Sequence, residues 1–178
     1  MPETPVTGEV LIRRATAADI PAIVAIYNEA VATTTASWDY DPQPLADRAA
    51  WFAEREASGH AVLVAEADGR VLGWGSWGPY RAKHGYRLTM EHSVYVDAAA
   101  RGRGVGRLLL AGLIDTAREA GVHVLVGAVT DDNEVSFALH EAFGFVEVGR
   151  MPQVGVKFGR WLTLVLLQLT LDDAPPPE

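Results

Sequence analysis

The sequence contains no cysteine among its 178 residues. This absence excludes disulfides, thiolate zinc sites, iron–sulfur clusters and a cysteine nucleophile. The sequence also lacks any run of 18 apolar residues, so no membrane-spanning helix is expected. Residues 1–9 are polar and have no apolar centre, so no signal peptide is predicted. Together these absences predict a cytoplasmic protein without a membrane partner.

Positive charge is scarce as well. Lysine and arginine total 15 and aspartate and glutamate total 23, which gives a formal net charge of −8 at pH 7. A general nucleic-acid binder needs a basic surface, so nucleic acid is not expected as a partner. A small anionic ligand is still allowed, because it needs only a local cluster of cations. The apolar share of 49% excludes a disordered chain.

The hydrophobic pattern predicts one domain over residues 9–171, with flexible ends at 1–8 and 172–178. The predicted element order is βααβββαβαββ, in which a hairpin meander is combined with βαβ units. This order predicts an α/β (α+β) fold with a mixed sheet and helices on both faces. Strands are expected at residues 10–13, 61–66, 71–78, 88–96, 122–129, 145–148 and 162–171. Helices are expected from residue 21, at 45–57, after the segment 101–107, and after a cap at Asn133 or Asp132.

A glycine-rich turn follows the fourth predicted strand and opens a helix. Closely spaced glycines let backbone N–H groups approach a ligand, and the helix N-terminus adds partial positive charge, so a phosphate or pyrophosphate is stabilised there. A Walker A loop needs Gly-Lys-Ser/Thr, and a dinucleotide-binding fingerprint needs Gly-x-Gly-x-x-Gly, and this turn has neither. A glycine turn without a ligand is the plain alternative. The segment reads Arg101-Gly102-Arg103-Gly104-Val105-Gly106-Arg107.

These residues resemble the loop with which the GNAT family of N-acetyltransferases binds the pyrophosphate of acetyl-CoA, Arg/Gln-x-x-Gly-x-Gly/Ala. Arg101, Gly104 and Gly106 occupy its fixed positions. A second family signature is resembled by Asn133, Ser136, His140 and Gly144-Phe145. The resemblance covers nearly all of residues 12–171.

Four further segments resemble one subgroup, the phosphinothricin and methionine sulfoximine/sulfone N-acetyltransferases. Members of this subgroup acetylate the α-amino group of small amino-acid analogues, so a small-molecule amine is the expected partner. The segments are Ile26-Tyr27-Asn28, Thr33-Thr34-Thr35-Ala36-Ser37-Trp38, Met90-Glu91-His92-Ser93-Val94-Tyr95-Val96 and Lys157-Phe158-Gly159-Arg160-Trp161.

The resemblance implies the GNAT fold, with a mostly antiparallel sheet that is splayed at the cofactor site. It implies acetyl-CoA as the cofactor, a bulge in the strand 93–96 that frees backbone N–H groups for the thioester, and a homodimer. The implied cofactor contacts are Val94, Tyr95, Val96, Arg101, Gly102, Arg103, Gly104, Val105, Gly106, Arg107, Asn133 and Ser136.

Amine acetylation requires that the substrate ammonium lose a proton before it attacks the thioester. Glu91 is the candidate base, because it lies on the strand that leads into the implied cofactor site and an apolar segment follows it. A surface glutamate in a salt bridge is the alternative. His140 stands where the broad family often has a tyrosine that protonates the thiolate. It is therefore a candidate general acid, a cofactor contact, or a half-buried helix histidine.

The substrate is expected to carry a carboxylate, for which arginine is the preferred partner. The loop before Glu91 therefore holds the candidate clamp, and two tryptophans, Trp38 and Trp77, are candidates for the wall of a small pocket. Arg160 and Trp161 are a further pair. The predicted substrate contacts are Arg81, Ala82, Lys83, Glu91, His92, Ser93 and Trp38. No metal site is predicted, because the remaining histidines form no spaced set with carboxylates.

Two other functions are alternatives to amino-acid acetylation. Acetylation of a protein N-terminus, a lysine or an aminoglycoside is the first, and an aminoglycoside would require an acidic groove. The loop 80–87 contains two arginines, one lysine and no acid, which speaks against a polycation. The second is a CoA-binding sensor without turnover, which a missing Glu91 or a broken glycine loop would favour, and neither is the case.

Overall fold

The computed structural model describes residues 8–177 and contains the elements in the predicted order, βααβββαβαββ. Three short 3-10 turns, Ala17–Asp19, His84–Tyr86 and Ala98–Ala100, lie between them. The helices are α1 (Ile20–Thr33), α2 (Leu45–Ala57), α3 (Val105–Glu119) and α4 (Glu134–Glu141). The strands are β1 (Leu11–Arg14), β2 (Val62–Ala67), β3 (Arg70–Pro79), β4 (Thr89–Val96), β5 (Val124–Thr130), β6 (Val146–Lys157) and β7 (Arg160–Thr170).

The seven strands form one sheet in the order β1-β2-β3-β4-β5-β7-β6. Only β4 and β5 pair in parallel, and every other neighbouring pair is antiparallel. The mixed, mostly antiparallel sheet is therefore confirmed. The parallel pair requires a crossover, which α3 provides.

Each face of the sheet is covered by its own hydrophobic core, because side chains alternate between the two faces along every strand. On one face α1 and α2 pack over β2 and β3, with Ile23, Phe52 and Trp74 buried among them. On the other face α3 packs with Leu109 and Leu113 fully buried. Glycines at the sheet surface allow close packing, since a Cβ at Gly75 would lie 2.9 Å from the Leu113 side chain.

Two hairpin turns have the same φ values at their central residues. Asp68 and Gly69 between β2 and β3 both have positive φ, at 52° and 72°. Phe158 and Gly159 between β6 and β7 have the same pair of values. Positive φ at both central residues is the signature of a type I′ turn, whose twist matches the flanking strands. The hairpin predicted at residues 67–70 is thereby confirmed.

The sixth strand is longer than predicted. Residues 145–148 were expected to form it, whereas β6 runs from Val146 to Lys157. Proline, glutamine and glycine interrupt the apolar pattern at 152–155, where the register shifts and Gln153 has a φ of 57°. A bulge absorbs these residues, so the strand continues through a segment whose composition is typical of a loop.

The chain ends were predicted to be flexible at 1–8 and 172–178. Residues 1–7 and 178 lie outside the described residues. No helix in the described part of the chain combines the length and apolar character needed to cross a bilayer.

Candidate active site

The sheet opens between its two parallel strands. β4 pairs with β5 from Thr89↔Val124 to His92↔Gly127, and no pairing follows beyond that point. β4 nevertheless stays paired with β3 as far as Val96. The β5-facing backbone groups of the segment 93–96 therefore have no strand partner. The Val96 carbonyl accepts from Arg101 Nε at 3.3 Å, and the other groups are available to a ligand. The splayed sheet expected from the resemblance is confirmed.

The expected bulge in β4 is not present. The register between β3 and β4 is continuous from Pro79↔Met90 to Gly73↔Val96. The gap arises because β4 and β5 diverge, whereas a bulge would have shifted the pairing with β3. The expectation of a bulge was therefore wrong, although the open backbone edge that it was meant to explain exists.

The glycine-rich turn lies directly beyond this gap. Gly102 and Gly104 have φ values of 74° and 79°, and a Cβ at either would meet no atom within 4 Å. Gly104 is the N-cap of α3, a helix of 15 residues, so unpaired N–H groups face an open space. An open backbone turn with a positive helix end fits the pyrophosphate of a coenzyme A thioester.

The other residues of this turn differ in how they are placed. Val105 is buried at 1% exposure, so only its backbone can face a ligand. A Cβ at Gly106 would lie 3.6 Å from the Leu139 side chain and 3.7 Å from the Val96 side chain. Arg101 donates to Glu29 of α1 at 2.7 Å, the Arg107 guanidinium lies 5.1 Å from the Phe143 ring centroid, and Arg103 is exposed.

Two buried histidines meet beneath the gap. The Nε2 atoms of His92 and His140 are 3.0 Å apart, and His140 Nδ1 lies 2.7 Å from the Ser136 carbonyl oxygen. The Ser136 carbonyl can only accept, so His140 donates from Nδ1 and accepts at Nε2 from His92. Burial lowers the pKa of both histidines, and the neighbouring His140 lowers that of His92 further. Both are therefore neutral near pH 7.

Helix α4 holds this pair in place. The Asn133 side chain accepts a hydrogen bond from the Ser136 N–H at 3.1 Å, so Asn133, and not Asp132, is the cap of the helix. Gly127 on β5 allows the close approach, because a Cβ there would lie 2.7 Å from His140 Nε2. The Asn133 side chain therefore caps the N-terminus of α4 and helps to fix the position of this helix.

A cavity of about 420 Å³ lies on the opposite face of β4, between the sheet and helices α1 and α2. Glu91, Ser93 and Tyr95 alternate along β4 and face it. Three aromatic side chains and two arginines make up half of the remaining lining residues. The lining residues are Tyr27, Gln43, Asp47, Arg48, Trp51, Arg55, Trp74, Ser76, Gly78, Pro79, Glu91, Ser93 and Tyr95.

Glu91 is the carboxylate of this cavity on β4. Loss of hydration raises the pKa of Glu91, while the positive charges of Arg81 and Arg55 act in the opposite direction. Arg55 reaches the site across Gly78, which pairs with Glu91 in the sheet, and a Cβ on Gly78 would overlap its guanidinium. A half-buried carboxylate with a raised pKa suits a general base.

The structure brings only some of the predicted substrate contacts together. Glu91 and Ser93 line the cavity. Arg81, Ala82 and Lys83 lie exposed on the loop beside it, and Arg81 stacks on Tyr80 at 5.0 Å. His92 points to the opposite face, against His140, so the structure does not support a substrate contact for it.

The predicted pocket walls, Trp38 and Trp77, do not face the cavity. Trp77 is buried on the α3 side and donates to Thr116 at 3.0 Å. Trp38 donates to Thr130 at 3.0 Å, and its ring covers Gly155. The other predicted pair is at the surface, where Arg160 pairs with Asp132 and Trp161 is 64% exposed.

Two of the subgroup segments, 33–38 and 157–161, contact each other. The Lys157 ammonium is buried and donates to the carbonyl oxygens of Thr34 at 2.9 Å and Ser37 at 2.6 Å. The Ser37 hydroxyl lies 2.9 Å from the Tyr27 hydroxyl, and Tyr27 lines the cavity. These segments therefore position one wall of the cavity.

Helix α2 contributes residues that the sequence reasoning missed. Arg48, Trp51 and Arg55 lie at positions i, i+3 and i+7, which share one face of a helix, and all three line the cavity. The sequence signal that could have indicated them is arginine at two positions on the inward face of an amphipathic helix.

Comparison with known proteins agrees with this geometry. The sequence profile of the acetyltransferase (GNAT) family matches residues 23–145. The chain belongs to the GNAT family. A methionine sulfoximine/methionine sulfone acetyltransferase of Pseudomonas paraeruginosa is 52% identical over 90% of this chain and 94% of its own length. A phosphinothricin N-acetyltransferase of Alcaligenes faecalis is 42% identical over 90% of this chain and 83% of its own length.

A solved GNAT structure resembles the whole fold. An acetyltransferase from Salmonella typhimurium, determined with its cofactor acetyl-CoA, superposes with a TM-score of 0.93. It is 47% identical, and the match covers 95% of this chain and 98% of that one. The present GNAT protein is an N-acetyltransferase with acetyl-CoA as its acetyl donor.

Proposed function

We propose that this enzyme acetylates the α-amino group of a small amino acid or of an analogue such as methionine sulfoximine, methionine sulfone or phosphinothricin. The observation that carries the proposal is the cavity beside the β4–β5 gap, in which Glu91 lies among arginines. An ammonium group needs a base and a carboxylate prefers arginine, so this combination suits a zwitterion. The substrates named for the two relatives support the same class.

We assign acetyl-CoA binding and substrate binding to different parts of the site. When bound, acetyl-CoA supplies an acetyl thioester. It would be held by the open backbone edge at 93–96 and by the turn at 101–107, where the N–H groups at the start of α3 suit its phosphates. Glu91 accepts a proton from the substrate ammonium, directly or through a water molecule. Arg55 and Arg81 stand beside Glu91 to receive the substrate carboxylate.

We do not propose His140 as the general acid that protonates the thiolate. Its Nδ1 donates to the Ser136 carbonyl, and its Nε2 accepts from His92, so no proton at Nε2 is available. We propose that the pair shapes the floor of the gap.

We also propose that the enzyme is a cytoplasmic homodimer that uses the β6–β7 hairpin as its interface. Apolar side chains are exposed along this hairpin, at the edge of the sheet. A cluster of this kind on a sheet edge is typical of a surface that a second copy covers. The exposed residues are Val146, Val148, Met151, Val154, Val156, Phe158 and Trp161.

A thiol-release assay with the purified protein tests the function. Acetyl-CoA is held constant while methionine sulfone, methionine sulfoximine, phosphinothricin, methionine, a short peptide and an aminoglycoside are compared. We expect the highest kcat/KM among the free amino acids and analogues. Faster turnover of the peptide would assign the enzyme to protein N-termini, and binding of acetyl-CoA without turnover of any amine would indicate a sensor.

A further inference from the structure

Arg48 is a buried cation in the wall of the cavity, away from Glu91. It is 5% exposed, and its guanidinium carbon lies 4.3, 4.7 and 5.2 Å from the ring centroids of Tyr27, Trp51 and Trp74. Trp74 in turn stacks on Tyr95 at 4.9 Å. Tyr95 follows Glu91 by four residues on the same face of β4, which is roughly 13 Å along a strand.

The hydrogen-bonding capacity of Arg48 is not used up by the protein. Its Nε has no partner, and the ion pairs among residues 8–177 do not include Arg48. Asp39 attracts it from a distance, but one Asp39 oxygen already accepts from the Tyr27 hydroxyl at 2.6 Å. Aromatic faces stabilise the charge, and the Tyr27 hydroxyl acts on Arg48 as a hydrogen-bond partner, but among the described residues Nε still lacks acceptors in the guanidinium plane. Oxygen atoms of a ligand would supply them.

The charges along the cavity suggest how a substrate lies in it. Glu91 marks the end that receives the ammonium, and Arg55 and Arg81 act on Glu91 electrostatically, so they stand at that same end. An α-carboxylate is attached to the same carbon as the ammonium and belongs there too. The side chain of the substrate then extends along β4 past Ser93, toward Tyr95 and Arg48.

We propose that Arg48 binds the oxygen atoms on the tetrahedral sulfur or phosphorus of the substrate side chain and thereby selects oxidised side chains over thioethers. This inference rests on the proposed function. Sulfone, sulfoximine and phosphinate oxygens accept hydrogen bonds well, whereas a thioether sulfur accepts only weakly. A site built to hydrogen-bond a substrate group rejects the analogue that lacks it, because its own buried donors are then left unpaired.

Kinetics on matched substrates test the role of Arg48. We expect the wild-type enzyme to prefer methionine sulfone over methionine by about 100-fold or more in kcat/KM. Arg48→Met should lower kcat/KM for the sulfone by about 100-fold and leave that for methionine within about threefold, so that the preference disappears. Arg48→Lys keeps the charge and should retain part of the preference. Arg118→Met, an exposed arginine on α3, is the control and should change neither value.

Equal losses for both substrates, with the preference unchanged, would show that Arg48 only supports the fold and would overturn the inference. Should the variants not fold, the wild-type protein provides the answer by nitrogen-15 NMR. The Arg48 Nε–H resonance should shift when methionine sulfone is added to the CoA-bound enzyme and stay in place with methionine, and an unmoved resonance with both would overturn the inference. Absence of turnover with every amino acid would instead contradict the proposed function.

Discussion

At the scale of single residues, Glu91, the proposed base, lies where its ionised form carries a cost to the fold. Its carboxylate is half-buried in the cavity, and lost hydration raises its pKa despite two nearby arginines. A base on an amine needs a pKa nearer to the working pH than that of a solvated glutamate. The same burial makes the ionised form unfavourable in the folded protein.

Replacement of Glu91 by glutamine is expected to lower kcat by about 100-fold or more, because general base catalysis contributes about this much. The dissociation constant for acetyl-CoA, measured by calorimetry, should change less than about twofold. Glu119→Gln at the exposed end of α3 is the control. An unchanged kcat in Glu91→Gln would remove Glu91 from the role of base.

The same variant has a predicted effect on stability. A carboxyl group whose folded pKa is raised stabilises the fold below its unfolded pKa, and this contribution is lost as the pH rises through the folded pKa. Glu91→Gln removes the ionisable group, so its Tm should exceed that of the wild type at pH 7 and approach it near pH 4. Thermal melts at the two pH values measure this difference, and a lower Tm at pH 7 would contradict it.

Gly104 offers a test of the cofactor loop. Its φ of 79° is unfavourable for any side chain, and the space around its Cβ position is open. Gly104→Val is expected to abolish acetyl-CoA binding in calorimetry, because the valine would occupy the open space, and to cost about 1–3 kcal/mol of stability from backbone strain.

Gly121, just beyond the other end of α3, is the matched control for this variant. It has a φ of 72° and an equally open surrounding. Gly121→Val should therefore lose a similar amount of stability while it retains its affinity for acetyl-CoA. Equal affinity in both variants would place the phosphates elsewhere.

At the scale of elements, the parallel pair β4–β5 and helix α4 enclose two neutral histidines. Burial lowers the pKa of His92 and His140, so the stability that they contribute is present above the unfolded pKa of histidine and is lost as the pH falls below it. The double variant His92→Gln, His140→Gln should therefore show a flatter dependence of Tm on pH between about 6.5 and 5.

Exposed His84 supplies the control, since His84→Gln should leave the pH dependence of Tm as it is in the wild type.

The proposal for His140 also predicts that His140→Gln keeps more than about a tenth of the wild-type kcat at pH 7, because loss of a general acid costs about 100-fold or more. A larger loss of kcat would restore His140 as the general acid.

The elements themselves were largely predictable from sequence, and the reasons are local. The capping Asn133, the turn at Asp68-Gly69 and the glycine loop each act within a few residues. The predicted sixth strand was too short, because Pro152 and Gly155 break the apolar alternation. In the structure, pairing with β7 continues the strand through these residues. Register with a distant strand is not visible in a local pattern.

The candidate site was predictable where the motifs lie and was missed elsewhere. Glu91 and the loop 101–107 belong to short motifs of consecutive residues. Arg48 and Arg55 do not, because their role depends on how α2 packs against β3 and β4. His92 and Trp38 were predicted as substrate contacts, Trp38 as the wall of a small pocket. In the structure, alternation along β4 turns His92 toward His140, and Trp38 donates to Thr130 away from the cavity.

At the scale of the whole molecule, the β6–β7 hairpin carries a cluster of exposed apolar side chains that the monomer leaves uncovered. Val148→Asp combined with Val156→Asp is expected to convert the proposed dimer into a monomer, because a dimer would bury both carboxylates without partners. Light scattering after size exclusion measures the mass of each. Leu11→Asp on the edge strand β1, where Leu11 is 61% exposed, is the control. A wild-type chain that is already monomeric would refute the dimer.

The open edge of β4 has a consequence for the way the donor acts on the protein. Beyond His92 this strand has a ladder on one side only, so acetyl-CoA bound at this edge would supply hydrogen-bonding partners that a neighbouring strand would otherwise supply. Binding is then linked to local order, and occupancy stabilises the folded state in proportion to the logarithm of donor concentration. The enzyme's resistance to local opening thus depends on how much acetyl-CoA its surroundings contain.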